Sequence, residues 1–320
     1  MTKSKTLLRL GVMTASAVAM LCAQAPAPAP APAPQQNFDN VQIQVYPVQR
    51  NVYMLAGSGG NITVQVGKEG VLMVDTEFAP LAPKIMAAIR KLSQGHIRYI
   101  INTHMHGDHV GGNAAMAKLI PTDNQEPLSI IAHANVLNRL TAPSQSNANG
   151  QTLAEGGLPV DEYETPVKNL HFNGEAVVVI HEPKAHTDGD SIVLFRGSDV
   201  ISTGDIFTPD RYPFIDIEHG GSIQGELAAL NHILELTVPA DHQEGGTYVI
   251  PGHGRICDDA DVVEFRDMVA IVMDRVKDLI KKGKTLAEVK AAKPTDDYDT
   301  EYGMGADRFV EAVYKGLGGK

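Results

Sequence analysis

The sequence predicts an α/β fold built from two similar halves. Three observations carry that reading. In the first half, short apolar runs alternate with segments of helical period; in the second, two hairpins lead into an amphipathic helix. The residues able to do chemistry sit just past the ends of strands, where open α/β sheets place their sites.

Residues 1–23 begin with Lys3, Lys5 and Arg9, continue with an uncharged run over 10–23, and reach a small-x-small site at Ala23-Gln24-Ala25. This is the pattern of a secretory signal, and the run is shorter than the roughly 20 residues a bilayer span needs. Residues 24–37 hold a strict Ala-Pro repeat over 25–34, a semi-rigid polyproline II tether that buries nothing. Residues 38–320 remain as the folded domain, with export implying a periplasmic or secreted location.

Within that domain, residues 41–45 alternate as a half-buried strand. Strands at 51–56 and 62–66 are joined by Gly57-Ser58-Gly59-Gly60-Asn61; no helix follows this link, so it reads as a hairpin and not a phosphate cradle. Residues 70–75 form an apolar strand ending on Asp75. Leu81, Ile85, Ala88, Ile89 and Leu92 recur at helical spacing, with Pro83 in the first turn. A strand at 99–102 leads into a polar loop, followed by a helix at 114–119 with Asn113 as its cap and a strand at 128–132. Ser, Asn, Gly and Pro crowd 141–157, so 141–165 reads as a long loop of the kind that rims a site. Hairpins 167–172/176–180 and 191–195/200–203 turn at Asn173-Gly174 and Gly197-Ser198. Ile223, Leu227, Leu230 and Leu234 mark a helix over 222–236, and 248–250 is a short strand. Two further apolar faces, one from Val262 to Leu279 and one including Phe309, Val310, Val313 and Leu317, belong to covering helices.

Acidic residues outnumber basic ones, 38 to 27, and without residues 1–34 the balance is 24 basic against 38 acidic, a net −14. That disfavours nucleic acid and anionic membrane surfaces, both of which require Lys/Arg neutralisation. The expected partner is a small-molecule substrate, with no nucleic acid and no membrane insertion after signal removal; the oligomeric state is left open. Only Cys257 would remain after export, so no intramolecular disulfide can form, and a buried, inert thiol is expected.

The polar loop is Thr103-His104-Met105-His106-Gly107-Asp108-His109, three imidazoles and a carboxylate in the order H-x-H-x-D-H. On an extended segment, residues two apart point the same way, so His104 and His106 can converge on one ion. Gly107 then turns the chain, letting Asp108 and His109 face a second position. Imidazole and carboxylate suit zinc, iron or manganese, and a His-rich set with an open position is catalytic in character.

With its downstream partners Ala185-His186-Thr187-Asp188-Gly189-Asp190, Thr203-Gly204-Asp205 and Pro251-Gly252-His253-Gly254, this loop resembles the metallo-β-lactamase superfamily over about residues 40–260. The resemblance implies a four-layer αββα sandwich. It also implies a ligand set: His104, His106 and His186 on a first metal, Asp108, His109 and His253 on a second, and Asp205 bridging. Asp75 would support the metal loop from below, or alternatively cap its turn. Two Zn2+ are the expected cofactors, with Fe or Mn as alternatives. Two cations roughly 3.5–4 Å apart lower the pKa of a shared water from about 15.7 towards 7, and the resulting hydroxide attacks a carbonyl. Asp108 would orient that nucleophile and is the expected catalytic residue.

Asp205 departs from the zinc β-lactamases, which generally carry Cys or Ser there; a bridging Asp resembles glyoxalase II, lactonases and phosphodiesterases. The resulting expectation is an exported hydrolase of small, cyclic amides or esters, β-lactams or lactones. Its rivals are a glyoxalase II-like thioesterase, a mononuclear iron persulfide dioxygenase, and a non-catalytic metal-binding protein. Tyr212 could donate to a developing oxyanion, though packing is the favoured reading, and Arg211 could meet a substrate carboxylate or simply be solvated. His96, His133, His171, His181, His219, His232 and His242 match no ligand motif and are assigned to surface or core.

Overall fold

The computed structural model describes residues 36–121, 127–142 and 156–319. The expected signal at 1–23, the linker up to residue 35 and the middle of the 141–165 loop lie outside the described residues. The chain divides into Met1–Asn37 and Phe38–Lys320, and the architecture that follows is that of the second unit.

Its first half contains β1 (Gln44–Gln49), β2 (Val52–Ala56), β3 (Ile62–Gly67), β4 (Gly70–Val74), α1 (Ala82–Leu92), β5 (Ile97–Ile101), α2 (Gly107–Val110), α3 (Asn113–Leu119), β6 (Ser129–His133), α4 (Ala134–Thr141) and β7 (Asp161–Tyr163). The second half contains β8 (Val167–Phe172), β9 (Glu175–His181), β10 (Ser191–Phe195), β11 (Val200–Ser202), α5 (Ile223–Leu236), β12 (Tyr248–Ile250), α6 (Asp259–Lys281), α7 (Leu286–Ala291), α8 (Asp299–Tyr302) and α9 (Ala306–Gly316). Strands β1 to β7 make one sheet in chain order, antiparallel as far as β4 and parallel beyond it. The other sheet runs β12-β11-β10-β9-β8, antiparallel except where β11 meets β12.

The layers follow from where successive side chains go. Leu72 and Val74 of β4, with Ile101 and Ile131, face Phe172, Val179, Val193 and Ile250 of the second sheet, forming a core between the sheets. Met73, between Leu72 and Val74, points the other way, where it joins Ile100 against Ile85 and Ile89 of α1 and Met116 of α3. On the far face, Ile192, Ile201 and Val249 meet Leu230 and Ile233 of α5, Phe265 and Val269 of α6 and Phe309 of α9. Each central strand is therefore apolar on both sides, which explains its continuous hydrophobic run. The result is the expected α/β, four-layer αββα sandwich. No described helix is long and apolar enough to cross a membrane.

The structure corrects four expectations. The first strand begins at Gln44, not at residue 41, and runs through Pro47. Lys84 Nζ draws the preceding segment onto α1 by donating to the carbonyls of Phe38, Asp39 and Val41 at 2.9, 2.7 and 2.7 Å. As an edge strand with a register shift between Pro47 and Gln49, β1 tolerates the proline. Asn113 is not the cap of α3; Gly112 occupies that position. The Asn113 side chain is buried, exchanging hydrogen bonds with Asn102 and accepting one from Thr76 Oγ1 at 2.8 Å. The 141–165 stretch includes a third parallel strand pairing, β7 on β6. Finally, the glycine-rich link between β2 and β3 joins a true hairpin but is far more than a turn, because it lies against the metal loop.

Candidate metal centre

Every expected ligand follows a strand end. His104 and His106 follow β5, and Asp108 and His109 begin the short α2; His186 comes after β9, Asp205 after β11 and His253 after β12. The structure brings all seven together. Ligand atoms of His104, His106, His186 and Asp205 lie within 4.8 Å of one another, as do those of Asp108, His109 and His253.

Asp205 divides its two oxygens between these sets. Its Oδ2 lies 4.0 Å from His104 Nε2 and 3.8 Å from His186 Nε2, whereas its Oδ1 lies 3.1 Å from His109 Nε2 and 3.5 Å from His253 Nε2. His253 Nε2 is also 3.3 Å from Asp108 Oδ2.

Burial and charge set the protonation of the two sets apart. Burial, reinforced by the imidazoles of His109 and His186, holds His104 well below the usual range. Burial, with His106 beside it, pushes His186 down to about 4. Burial also opposes charge on His109 and His253, but Asp205 with Asp75, and Asp205 with Asp108, outweigh it. His109 is thus held well above its ordinary value and His253 is raised to about 9. Burial would raise both carboxylates, yet the neighbouring imidazoles win. Asp108 falls to about 2 through its hydrogen bond with His253 and the charge of His109, and Asp205 lies well below the carboxylate range.

The residues present fit a metal. Among the described residues, His104 Nε2, His109 Nε2 and Asp205 Oδ1 are buried with no well-aligned hydrogen-bond partner. Orphaned buried polar atoms are costly, and here all three are ligand atoms converging on one cleft.

Behind the ligands stands a layer of carboxylates and carbonyls that fixes ring orientation. Asp75 accepts from Thr103 N at 2.8 Å and Thr103 Oγ1 at 2.7 Å, and its Oδ2 meets His109 Nδ1 at 2.8 Å. It therefore supports the loop from below and does so from a left-handed backbone, φ +64°. Asp216 Oδ2 meets His106 Nε2 at 2.9 Å and His219 Nδ1 at 2.6 Å. The Phe214 carbonyl accepts from His186 Nδ1. Asp190, fully buried, accepts from Thr187 N and Thr187 Oγ1, both at 2.7 Å, and so closes the turn that carries His186.

The β2–β3 link completes the wall. Glu77 Oε2 accepts from Ser58 N and Gly59 N at 3.0 Å each, and Gly60 N donates to the Asp108 carbonyl at 3.0 Å. Asn61 Nδ2 donates to the carbonyls of Pro251 and Gly254, tying the same link to the loop of His253. A Cβ at Gly60 would stand 2.1 Å from His109 Cε1. Gly60→Ala is therefore expected to displace that imidazole and lower turnover about 100-fold, as ångström-scale misplacement of a reacting group does. Kinetics with circular dichroism checks this; a folded variant with wild-type kcat would refute it.

Several side chains the sequence could not assign now have places. Tyr212 donates to the Thr295 carbonyl at 3.1 Å and to Asp299 Oδ1 at 2.8 Å and stacks on Phe309, so packing is its role. Arg211 is exposed and pairs with Asp210. Cys257 is buried, and burial pushes its thiol up, in keeping with an inert cysteine. His133 and His181 stack face to face in the interior, with ring centres 3.5 Å apart. The assignment of His219 to surface or core needs correction: through Asp216 it belongs to the layer behind His106. Asp216 and Glu77 were missed altogether, since they carry no spacing signal and become neighbours of the site only through the fold.

The family model of the metallo-β-lactamase superfamily matches residues 55–253, more than half of the chain. No curated protein matches the sequence significantly. Among solved structures, a double mutant of the sec-alkyl sulfatase PisA1, an enzyme from Pseudomonas sp., superposes with a TM-score of 0.64 at 17% identity, covering 87% of this chain and 50% of that one. The chain thus spans about half the length of that relative. DIM-1 metallo-β-lactamase gives a TM-score of 0.56 at 15% identity over 72% of this chain and 98% of its own. A metallo-β-lactamase from Pontibacter korlensis gives 0.56 at 13% identity over 72% and 99%. These likenesses are of fold. With its motif order, its αββα layers and its paired His/Asp clusters, the chain belongs to the metallo-β-lactamase superfamily, whose members are metal-dependent hydrolases.

Proposed function

We propose that this protein is an exported dinuclear zinc hydrolase acting on the carbonyl of small, cyclic amides or esters, β-lactams or lactones. The observation that carries the reading is Asp205, whose two oxygens face the two ligand sets separately. A single anionic residue able to touch both positions is what a pair of cations requires, and an Asp at this place resembles the lactonase pattern more than that of the zinc β-lactamases. Export rests on the signal pattern at residues 1–23, which also supports a periplasmic or secreted location.

His104, His106 and His186 would hold one ion, Asp108, His109 and His253 the other, and Asp205 both. The bound ions would supply Lewis-acid polarisation of the carbonyl and acidify the attacking water. The chain's own contribution is positional. Asp108 is half-buried and stays a carboxylate well below neutrality, so it can accept a hydrogen bond from the attacking water and orient it. Asp75, Asp216 and the Phe214 carbonyl each engage one ring nitrogen of His109, His106 and His186 and so turn the opposite nitrogen towards the ligand cluster, where those of His106 and His186 lie 2.9 Å apart and would exchange that contact for the ion. The glycine-rich link, pinned by Glu77, bounds the cleft on the Asp108 side.

The partner in this reading is a small molecule, with no nucleic acid and no membrane insertion. The test is elemental analysis of purified protein paired with hydrolysis assays on nitrocefin, a lactone, a thioester and a secondary alkyl sulfate. Two equivalents of zinc with turnover of nitrocefin or the lactone are expected. One iron with oxygen uptake, turnover of the thioester or sulfate alone, or metal without turnover would each overturn the reading.

A further inference from the structure

The turn between β1 and β2 is Arg50-Asn51, closed by the pairing of Gln49 with Val52. Arg50 enters it with a left-handed backbone, φ +51°, a conformation that two-residue hairpins usually give to glycine or asparagine. An arginine here keeps a guanidinium at a backbone cost, and strained residues of this kind gather at functional places. Gln49 and Arg50 border a cavity of about 440 Å³, together with Arg196 and Asp199 of the β10–β11 turn and Gln243 and Glu244 of the segment before β12. Strands β11 and β12 start at this end, where Tyr248 N donates to the Asp199 carbonyl, and lead to Asp205 and His253 at the other. The cavity therefore lies at the opposite ends of these strands from the metal centre.

Among the described residues, every other arginine lies against a carboxylate, a carbonyl or an aromatic ring. Arg50 and Arg196 have no such partner, although acidic residues outnumber basic ones, 38 to 27. The acids of the same cavity do not serve them. Asp199 Oδ1 accepts from Thr247 Oγ1 at 2.8 Å, and its Oδ2 accepts from Gln243 Nε2. Glu244 is exposed and engages neither guanidinium. Two guanidiniums on one cavity repel, and an anion between them satisfies both. A planar carboxylate offers its one pair of oxygens to a single fork, whereas a tetrahedral oxyanion can present an edge to each of two. Two positive charges also match the dianion of a phosphate monoester, and the cavity leaves room beside the phosphate for a small organic group.

We propose that Arg50 and Arg196 bind the phosphate group of a small phosphate monoester, at a site separate from the metal centre. This site is independent of the hydrolase reading.

The test is calorimetry at about pH 8, where a phosphate monoester is a dianion, with glycerol 3-phosphate and with succinate at fixed ionic strength. Zinc-loaded wild type, Arg50→Gln, Arg196→Gln and Arg50→Gly are compared. Each substitution is expected to weaken glycerol 3-phosphate binding on the order of tenfold, and the wild type to hold succinate about tenfold less tightly than the phosphate. Arg50→Gly puts glycine where the backbone favours it, so this variant is expected to melt no lower than the wild type. Its weaker binding then reports a lost contact and not a damaged fold. Glycerol 3-phosphate bound equally by all four proteins would belong to the metal centre and overturn the site, as would no binding to the wild type. Succinate bound as tightly as glycerol 3-phosphate would overturn the assignment to phosphate.

Discussion

Asp108→Asn is expected to lower turnover by about 10²–10⁴ while leaving the fold intact, the usual cost of losing a positioned catalytic group. Asp205→Ala is expected to abolish turnover and to leave at most one metal per chain. The two substitutions differ because the two carboxylates sit differently. Asp108 is half-buried, with His253 Nε2 3.3 Å from its Oδ2 and His109 in the same cluster. An asparagine there keeps the shape and an oxygen but loses the negative charge that holds the water and an ion. Asp205 is in the interior with four imidazoles around it, two on each oxygen. Removing it deletes the one anion shared by both positions and leaves His109 and His253 with less reason to be near each other. Elemental analysis, circular dichroism and steady-state kinetics on the two variants decide the matter. An Asp205→Ala protein retaining two metals and activity within tenfold of wild type would remove the basis for the dinuclear assignment.

Metal content is expected to fall in two steps as the pH drops, the Asp108/His109/His253 position emptying first. In the metal-free protein His253 is raised to about 9 and His109 lies well above its ordinary value, so a cation entering there must displace protons. Its apparent affinity therefore weakens on acidification, by about tenfold per pH unit for each proton displaced. His104 and His186 run the other way: burial keeps the first well below its usual range and the second at about 4. Their imidazoles are neutral, and so able to ligate, down to much lower pH. Dialysis at about pH 8 and about pH 5.5 followed by elemental analysis should give two metals and one. Simultaneous loss of both, or earlier loss from the His104/His106/His186 position, would contradict the protonation pattern. Turnover should vanish with the first loss and return on raising the pH with zinc present.

The parts of the fold that were legible in the sequence are those whose cause is local. Asn173-Gly174 forms the expected tight turn because both residues adopt positive φ, +52° and +83°, as a two-residue hairpin demands. Ser222 caps α5 through Gly225 N, as a serine before an apolar period should. His104, His106, Asp108 and His109 stood out because metal chemistry restricts residue type within one short loop, whereas His186, Asp205 and His253 were marked by the resemblance to the family; the structure brings these side chains together. What was not readable depends on neighbours distant in sequence. Alternation placed the first strand at 41–45, but Lys84 holds that segment elsewhere. Gly60 looked like a turn residue, and only the fold shows His109 lying where its side chain would be. Asp216 acts on an imidazole 110 residues earlier, and Arg308 lies over the Phe214 ring 94 positions before it, a pairing that no spacing rule predicts.

Among the described residues, all strands up to β7 belong to one sheet and all from β8 onward to the other, and the chain passes from the first to the second after Tyr163. Four of the proposed ligands hang from the earlier sheet and three from the later. Cations held among them would fasten two leaves already joined by one passage of chain, a seam of apolar contacts and cross-sheet hydrogen bonds such as those of Asn61 Nδ2 to the carbonyls of Pro251 and Gly254. In that arrangement the ions serve as a clasp as well as a reagent, and prying the leaves apart would loosen every ligand at once.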